Sequence, residues 1–429
     1  MRILFSYENL LPTSQADAEV FLNTAGALAR RGHDATLLVP RPRGRGAMGA
    51  EEIFAYYDID TPLRLGFLPT TGRNVVLQHV GHALRVAGDP RAEAADLVYT
   101  RNLGVLTACL ARGLPTAFEH YRPWGDQFPP LQALLRRVMG HPKFLGMVVH
   151  SHYSMQAYRR IGIPSEKLAV IHNGFEPRRV EPRLAKWEAR KRLDLPLEKK
   201  IVVYSGRVNE RKGLDAMLDM ARARPEVLFV LVGSEKRGPI EDKARRIPNV
   251  QIVPWQPYAA IAPYLYAADV LLIPPSKVPL QRYGNTVLPL KLFLYLAAGR
   301  AILAPHNPDL LELLEDGENA LLVPPGDLDA VLTALDRLCA DEPLAARLGH
   351  RAKELGDSLT WDARARRIEA FLERRLASGR EPLEPWDVGS CIAESGAWIR
   401  DGIVRGKWIH EPPDRAPRGG GAPARAWGR

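Results

Sequence analysis

One feature constrains this chain more than any other. Short apolar runs of strand length alternate with stretches of helical period, and the alternation occurs as two separate series. The first series opens with "RILFSY" at Arg2, passes through a helical stretch over 15–31, and continues with "DATLLVP", "DLVYTR", "PTAFEHY", "FLGMVVHS" and "LAVIHNG". The second opens with "IVVYSG" at Ile201 and continues with "VLFVLVGS", "VQIVPW", "DVLLIPP", "AILAPH" and "ALLVPP", with helical stretches over 213–224 and 327–339. A strand that is apolar throughout is buried on both faces, which is the signature of a parallel sheet covered by helices on either side.

Between the two series, "FEPRRVEPRLAKWEARKRLDLPLEKK" is charged, marked by prolines and poor in strand formers. It predicts a hinge with one exposed helix. With 429 residues the chain is too long for one ordinary core. The expected fold class is α/β, with two doubly wound, Rossmann-like domains in tandem that face an interdomain cleft. Ligands of such sheets bind beyond the strand C-termini. The boundaries read as 1–175 for the first domain, 176–199 for the hinge, 200–357 for the second domain and 358–377 for a C-terminal helix. A tail over 378–429 is expected to be partly disordered from its Pro, Gly and Arg content. Within it, the segment between Trp386 and Trp408 has apolar residues at roughly helical spacing, interrupted by glycines. It is read as docking on the body or lying on a membrane surface.

Composition narrows the partners. The net charge is +10, and residues 1–190 carry 24 Lys plus Arg against 17 Asp plus Glu. Such an excess suits an anionic partner, though solubility alone also accounts for it. Cys109, Cys339 and Cys391 are widely spaced and odd in number, which predicts neither a disulfide framework nor a metal knuckle. The start "MRILFSYENLLP" reads as a first strand rather than a signal peptide. No stretch of about 18 apolar residues occurs, so no membrane span is expected. The expected location is cytoplasmic, with peripheral contact at an anionic inner membrane face as a further expectation.

The sharpest motif is "YSGRVNERKGL" at Tyr204. A buried strand ends at Gly206, Arg207 leaves its tip, and Lys212 and Gly213 open the next helical stretch. Two converging cations near a helix start suit a diphosphate. A solvated loop carries the same pattern, since Arg211 and Lys212 also form a plain charge run. The acidic "DID" at 58–60 is read as chance rather than a metal pair. His150 and His152 are read as structural or solvated. No GxxxxGK[ST] loop, no GxSxG elbow and no paired Cys/His spacing is present. Nucleic-acid binding has nothing beyond charge to support it.

Taken in order, "ALARRGHDATLL", "FEH", "VVHS", "VIHNGFE", "YSGRVNERKG", "FVLVGS", "YAADVLLIPP", "PLKLFLYLAAGRAILA", "DGENALLVPPGD" and "TWDARARRI" resemble glycosyltransferase family 4 across about residues 1–377. These are retaining sugar-nucleotide transferases of the GT-B fold. The resemblance implies a donor site in the second domain. Arg207 and Lys212 would neutralise the donor diphosphate beside Gly206 and Gly233. The helix expected over 287–298 would present Leu288, Pro289, Leu290 and Lys291 to the same phosphates. The segment at Trp255 would hold the base. His120 would lie near the transferred sugar, and with Arg207 and Lys212 it makes up the implied catalytic set. Thr13, Ser14, Arg101, Glu119 and Asn173 would line the acceptor side of the cleft. The helix at 361–377 would pack back toward the first domain. No cofactor and no metal are expected beyond the nucleotide-sugar co-substrate. The implied partners are a nucleotide-sugar donor and a carbohydrate, lipid-linked or small-molecule acceptor.

Two departures stand out. The family carries two glutamates around the donor helix; here the matching positions are Thr286 and Leu294. An isobutyl group cannot accept the ribose hydrogen bonds, and loss of a charge-assisted bond costs about 1.5–3 kcal/mol. Another residue caps the ribose, the donor binds differently, or the site is silent. The first loop, "ENLLPTSQADAEVF", lacks the family's glycine pair; Thr13 and Ser14 are expected to supply hydroxyls and to cap the helix. The sequence therefore supports a retaining glycosyltransferase, with a catalytically silent GT-B scaffold as the alternative.

Overall fold

Two parallel sheets carry the two apolar series. In the computed structural model, the first sheet holds β1 (Arg2–Ser6), β2 (Asp34–Pro40), β3 (Arg64–Leu68), β4 (Leu97–Thr100), β5 (Thr116–His120), β6 (Phe144–Val149) and β7 (Leu168–Val170). Their order is β3-β2-β1-β4-β5-β6-β7. The second holds β8 (Ile201–Ser205), β9 (Leu228–Ser234), β10 (Val250–Pro254), β11 (Val270–Leu272), β12 (Ala301–Pro305) and β13 (Leu321–Val323), in the order β10-β9-β8-β11-β12-β13. The described residues are 1–13, 15–41, 48–70, 74–127, 131–257, 260–283 and 288–378, without the side chains of 280, 282 and 283. Ser14, Thr286 and the tail from 379, including Cys391 and the Trp386–Trp408 segment, lie outside them.

The central strands are buried at every position, as in β6 and β8. Helices cover both faces of each sheet, which explains why these strands show no polar alternation. β3 was not legible in the sequence. It is an edge strand with only Leu68 buried, so it lacks the apolar run that marks its neighbours.

Six helices position the site and join the two sheets. They are α1 (Ala16–Arg30), α2 (Val75–Ala87), α3 (Lys186–Arg192), α4 (Asp215–Ala223), α5 (Leu290–Ala298) and α6 (Trp361–Ser378). Two differ from expectation. The hinge helix α3 is not simply exposed: Ala189 and Arg190 are buried, and Ala189 joins Phe175, Val180 and Leu195 in the core of the second sheet. Arg190 is tolerated there because Asp269 pairs with it at 2.6 Å and the carbonyls of Ala267, Leu197 and Lys199 accept its remaining N–H groups. A run of charges in the sequence does not show which one has a buried partner. The donor-side helix α5 starts at Leu290, because Pro289 occupies the preceding position with extended backbone.

The chain passes between the two sheets twice. Phe175 and Thr360 form an isolated parallel bridge where the passes meet. A Cβ on Gly174 would sit 2.6 Å from the Thr360 carbonyl carbon, so only glycine fits the crossing. Beyond it, α6 buries Trp361, Ala365, Ile368, Phe371 and Leu372 in the core of the first sheet.

Candidate active site

Each sheet reverses its strand order once, between β1 and β4 and between β8 and β11. Crevices beyond the strand C-termini at such reversals are where open α/β sheets hold ligands. The second sheet's reversal gathers the predicted cations. Gly206 follows β8 with φ +139°, and a Cβ there would lie 2.9 Å from Lys291 Nζ. Gly233, at the tip of β9, packs backbone to backbone against it: a Cβ would come within 2.6 Å of the Gly206 carbonyl oxygen. Lys291, on the first turn of α5, places its ammonium 3.5 Å from the centre of the Tyr204 ring. The Tyr204 hydroxyl donates to the Arg207 carbonyl at 3.0 Å, and the Ser205 N–H donates to the Tyr295 hydroxyl at 2.8 Å. Two side chains of α5 therefore fasten it to the tip of β8.

The charges at this end crowd one another. Arg207 pairs with Glu235 at 3.2 Å. Among the described residues, no carboxylate pairs with Lys291. Burial pushes the Lys291 ammonium well below its usual pKa, and the neighbouring Lys212 pushes it further. Burial and then Arg207 lower Lys212 in turn. Burial and like charge thus press on Lys291 and Lys212 at the mouth of β8, and an anion placed between them would relieve both. Lys212 does not open a helix as expected. It ends a one-turn 3-10 helix, Glu210–Lys212, and α4 begins at Asp215. Leu288 is buried, Pro289 is half-buried, and Leu290 touches the cores of both domains, so the start of α5 lies at the interface between them.

The first sheet's reversal opens into a cavity of about 430 Å³ lined by Glu8, Asp17, Arg101, His120, Tyr121 and Trp124, with Val76 and Val80 of α2 at its edge. Its chemistry is aromatic and neutral at its base. His120 is 5% exposed and packs against Trp124 with centroids 3.7 Å apart. Its Nδ1 lies 3.0 Å from the Arg122 carbonyl. Burial and then Arg101 hold His120 well below the ordinary histidine pKa, so it is uncharged at neutral pH. Arg101 donates to the Asp17 carbonyl at 2.8 Å and lies over the Tyr121 ring.

Other predicted residues sit elsewhere. Glu119 does not face the acceptor side. Its side chain is fully buried, and it accepts from Tyr99 at 2.7 Å and pairs with Arg364 at 2.9 Å and His150 at 3.1 Å. Burial opposes its charge, yet Arg364 and the His150 hydrogen bond outweigh burial and hold the carboxyl well below its usual range. Thr13 does not cap α1. Its hydroxyl accepts from the Gln15 N–H, and its backbone N–H and C=O both bond to the Tyr57 hydroxyl. Asn173 is 4% exposed at the crossover. Trp255 is 52% exposed, with its N–H donating to the Ser234 carbonyl. Leu294 is half-buried against the second core, and α5 carries no acid along its length. The DID aspartates face the hinge: Asp58 pairs with Arg178 at 3.2 Å and Arg179 at 3.6 Å.

Sequence reading missed Tyr204 and Tyr295, the two phenols that orient Arg207 and α5. Tyr204 stands out as the one aromatic of "IVVYS", whereas Tyr295 shares α5 with Phe293. Tyr121 and Trp124, beside His120 in "FEHYRPW", were also overlooked.

Comparison with known proteins places this geometry. The profile described as Glycosyltransferase Family 4 matches residues 18–179, and Glycosyl transferases group 1 matches residues 185–355. The lipopolysaccharide core biosynthesis glycosyltransferase LpsE of Rhizobium meliloti is 30% identical over 169 residues, 38% of this chain and 47% of that protein. A D-inositol 3-phosphate glycosyltransferase of Streptomyces bingchenggensis is 26% identical over 243 residues, 51% of this chain and 52% of that protein. The chain spans about half the length of the curated relatives it matches. Anabaena Alr3699/HepE, solved in complex with UDP-glucose, superposes with a TM-score of 0.65 at 17% identity, covering 87% of this chain and 100% of that one. That likeness is one of fold. Two sheets with this architecture, matched in order by both profiles, place the chain in glycosyltransferase family 4, with the GT-B fold.

Proposed function

We propose that this protein transfers a sugar from a nucleotide diphosphate donor to a carbohydrate, lipid-linked or small-molecule acceptor with retention of configuration. The observation that carries the reading is the cationic mouth of β8, where Lys291 is held beside Gly206 with no carboxylate pairing among the described residues. Arg207, Lys212 and the start of α5 stabilise the charge that develops on the leaving diphosphate, which is the largest electrostatic contribution open to such a site. In the transfer, the acceptor hydroxyl oxygen attacks the anomeric carbon from the face the diphosphate leaves. The glycosyl–phosphate bond breaks, and the leaving phosphate takes the acceptor's proton. Neutral His120 binds sugar hydroxyls rather than carrying a proton at neutral pH. No metal is assigned to the diphosphate, whose charge the three cations meet.

The acceptor belongs to the cavity of the first sheet. Beside it, α2 exposes Val75, Val76, Leu77, Val80 and Leu84, each more than half accessible. That apolar edge and the basic excess of the first half favour an amphiphilic acceptor presented at an anionic membrane. The location proposed is cytoplasmic, at the inner membrane face. No helix among the described residues is long and apolar enough to cross a membrane.

Calorimetric titration with UDP, GDP, ADP and dTDP, in the absence of divalent metal, tests the donor site. UDP comes first because Alr3699/HepE was solved with UDP-glucose. Micromolar binding of one nucleotide, lost in Arg207→Ala, is the expected result. Leu294 favours a second reading, a silent scaffold that binds a glycan or protein. Absence of binding to all four nucleotides would select it.

A further inference from the structure

Three side chains from both domains converge beyond the C-terminal ends of their strands. His152 begins the helix His152–Arg160 after β6, His172 lies in the crossover after β7, and Glu312 ends the one-turn helix Leu310–Glu312 after β12. Glu312 Oε2 lies 2.7 Å from His152 Nδ1 and 3.4 Å from His172 Nε2. The Tyr153 N–H donates to Oε1 at 3.3 Å, which anchors the carboxylate and turns Oε2 toward both rings. The three ligand atoms lie within 4.8 Å of one another. Glu312 and His172 are 9% and 12% exposed, whereas His152 is 64% exposed and free to adjust its ring.

We propose that His152, His172 and Glu312 form a binding site for a divalent transition-metal ion, Zn²⁺ by preference, that ties the first domain to the second. Two imidazoles and one carboxylate are a zinc-type donor set, ill suited to Mg²⁺ or Ca²⁺. Tetrahedral Zn²⁺ takes such ligands at about 2.0–2.2 Å, which sets their atoms a little over 3 Å apart, a spacing close to the one the two Glu312 contacts already show. The fourth position is left to water. The ion takes no part in the diphosphate chemistry; its role is to fix the relative placement of the two sheets.

The test uses the full-length protein without a polyhistidine tag, stripped with chelator and titrated with Zn²⁺ alone against a zinc-binding dye. One Zn²⁺ per chain is expected, with affinity at least about tenfold weaker in both His172→Ala and Glu312→Gln. Co²⁺ in place of Zn²⁺ should give the visible absorption of a low-coordinate nitrogen–oxygen site, absent in both variants. Glu312→Gln keeps the acceptor for Tyr153, so loss of folding does not confound it. Equal binding by wild type and both variants would place any zinc elsewhere on the surface. No binding by the wild type would leave the three residues as a hydrogen-bonded contact without metal. Either result overturns the proposal.

Discussion

Two buried charged clusters invite comparison. Around Glu119, burial is complete and every charge is answered: Arg364 and His150 pair with the carboxylate, Tyr99 donates to it, and Thr24, Ile171 and His172 accept from Arg364. Around Gly206, burial and Lys212 press on Lys291, burial and Arg207 press on Lys212, and Lys291 lies against the face of Tyr204. The first cluster is finished by folding. In the second, no carboxylate among the described residues pairs with Lys291. Charge in the interior is therefore not by itself a sign of function; incomplete pairing is the better sign.

Five measurements can break or sharpen the comparison. Arg364→Met should lower unfolding stability by about 3–5 kcal/mol, because it strands a buried carboxylate. Denaturant titration would show this, with nucleotide affinity changing little. The Glu119 contribution should be present above roughly pH 4 and be lost as pH falls through its lowered folded pKa. Lys291→Met should do the reverse. Nucleotide binding should weaken by about 2–3 kcal/mol, roughly 30- to 150-fold. Stability should hold or rise by about 1 kcal/mol, as expected when a strained functional charge is removed. If that variant were both unstable and fully able to bind, the distinction between the clusters would collapse.

Leu294→Glu sharpens the donor reading. Restoring a carboxylate should tighten nucleotide binding by about ten- to hundredfold if the ribose diol faces this turn of α5. Unchanged affinity would show that the ribose lies elsewhere. The smallest effect is in pH. In the ligand-free protein Lys291 gives up its proton below the ordinary lysine range, and a bound diphosphate restores the charged form, so binding takes up protons. Affinity should fall as pH rises above the lowered pKa, by at most about tenfold per unit for each proton. Calorimetry in buffers of different ionisation enthalpy reads the uptake directly; no buffer dependence would mean that Lys291 is already charged before the nucleotide binds.

Much of this was legible in the residues and some was not. Continuous apolar strands such as "FLGMVV" announce a parallel sheet because both faces are covered. The glycines and cations of "YSGRVNERKG" marked the β8 tip because a strand end, a tight turn and two charges coincide within a few residues. Glu119 was misread because its partner Arg364 lies 245 positions away, and no local pattern shows that a distant guanidinium will enclose a carboxylate. The triad of His152, His172 and Glu312 escaped for the same reason, since it assembles from both halves of the chain. The ribose side of the donor site stays unsettled in the residues because Leu294 satisfies a core helix equally well.

The crossing at Gly174 has a mechanical meaning. A single tether between two bodies permits tumbling in every direction. Here the outgoing and returning passes are laced together: the Phe175 N–H donates to Leu359 O, and the Trp361 N–H donates to Phe175 O. Two cords knotted at one point share a single fastening, so neither pass can shift there without moving the other. A side chain at residue 174 would drive a wedge into that fastening, against the backbone of Thr360 and Trp361.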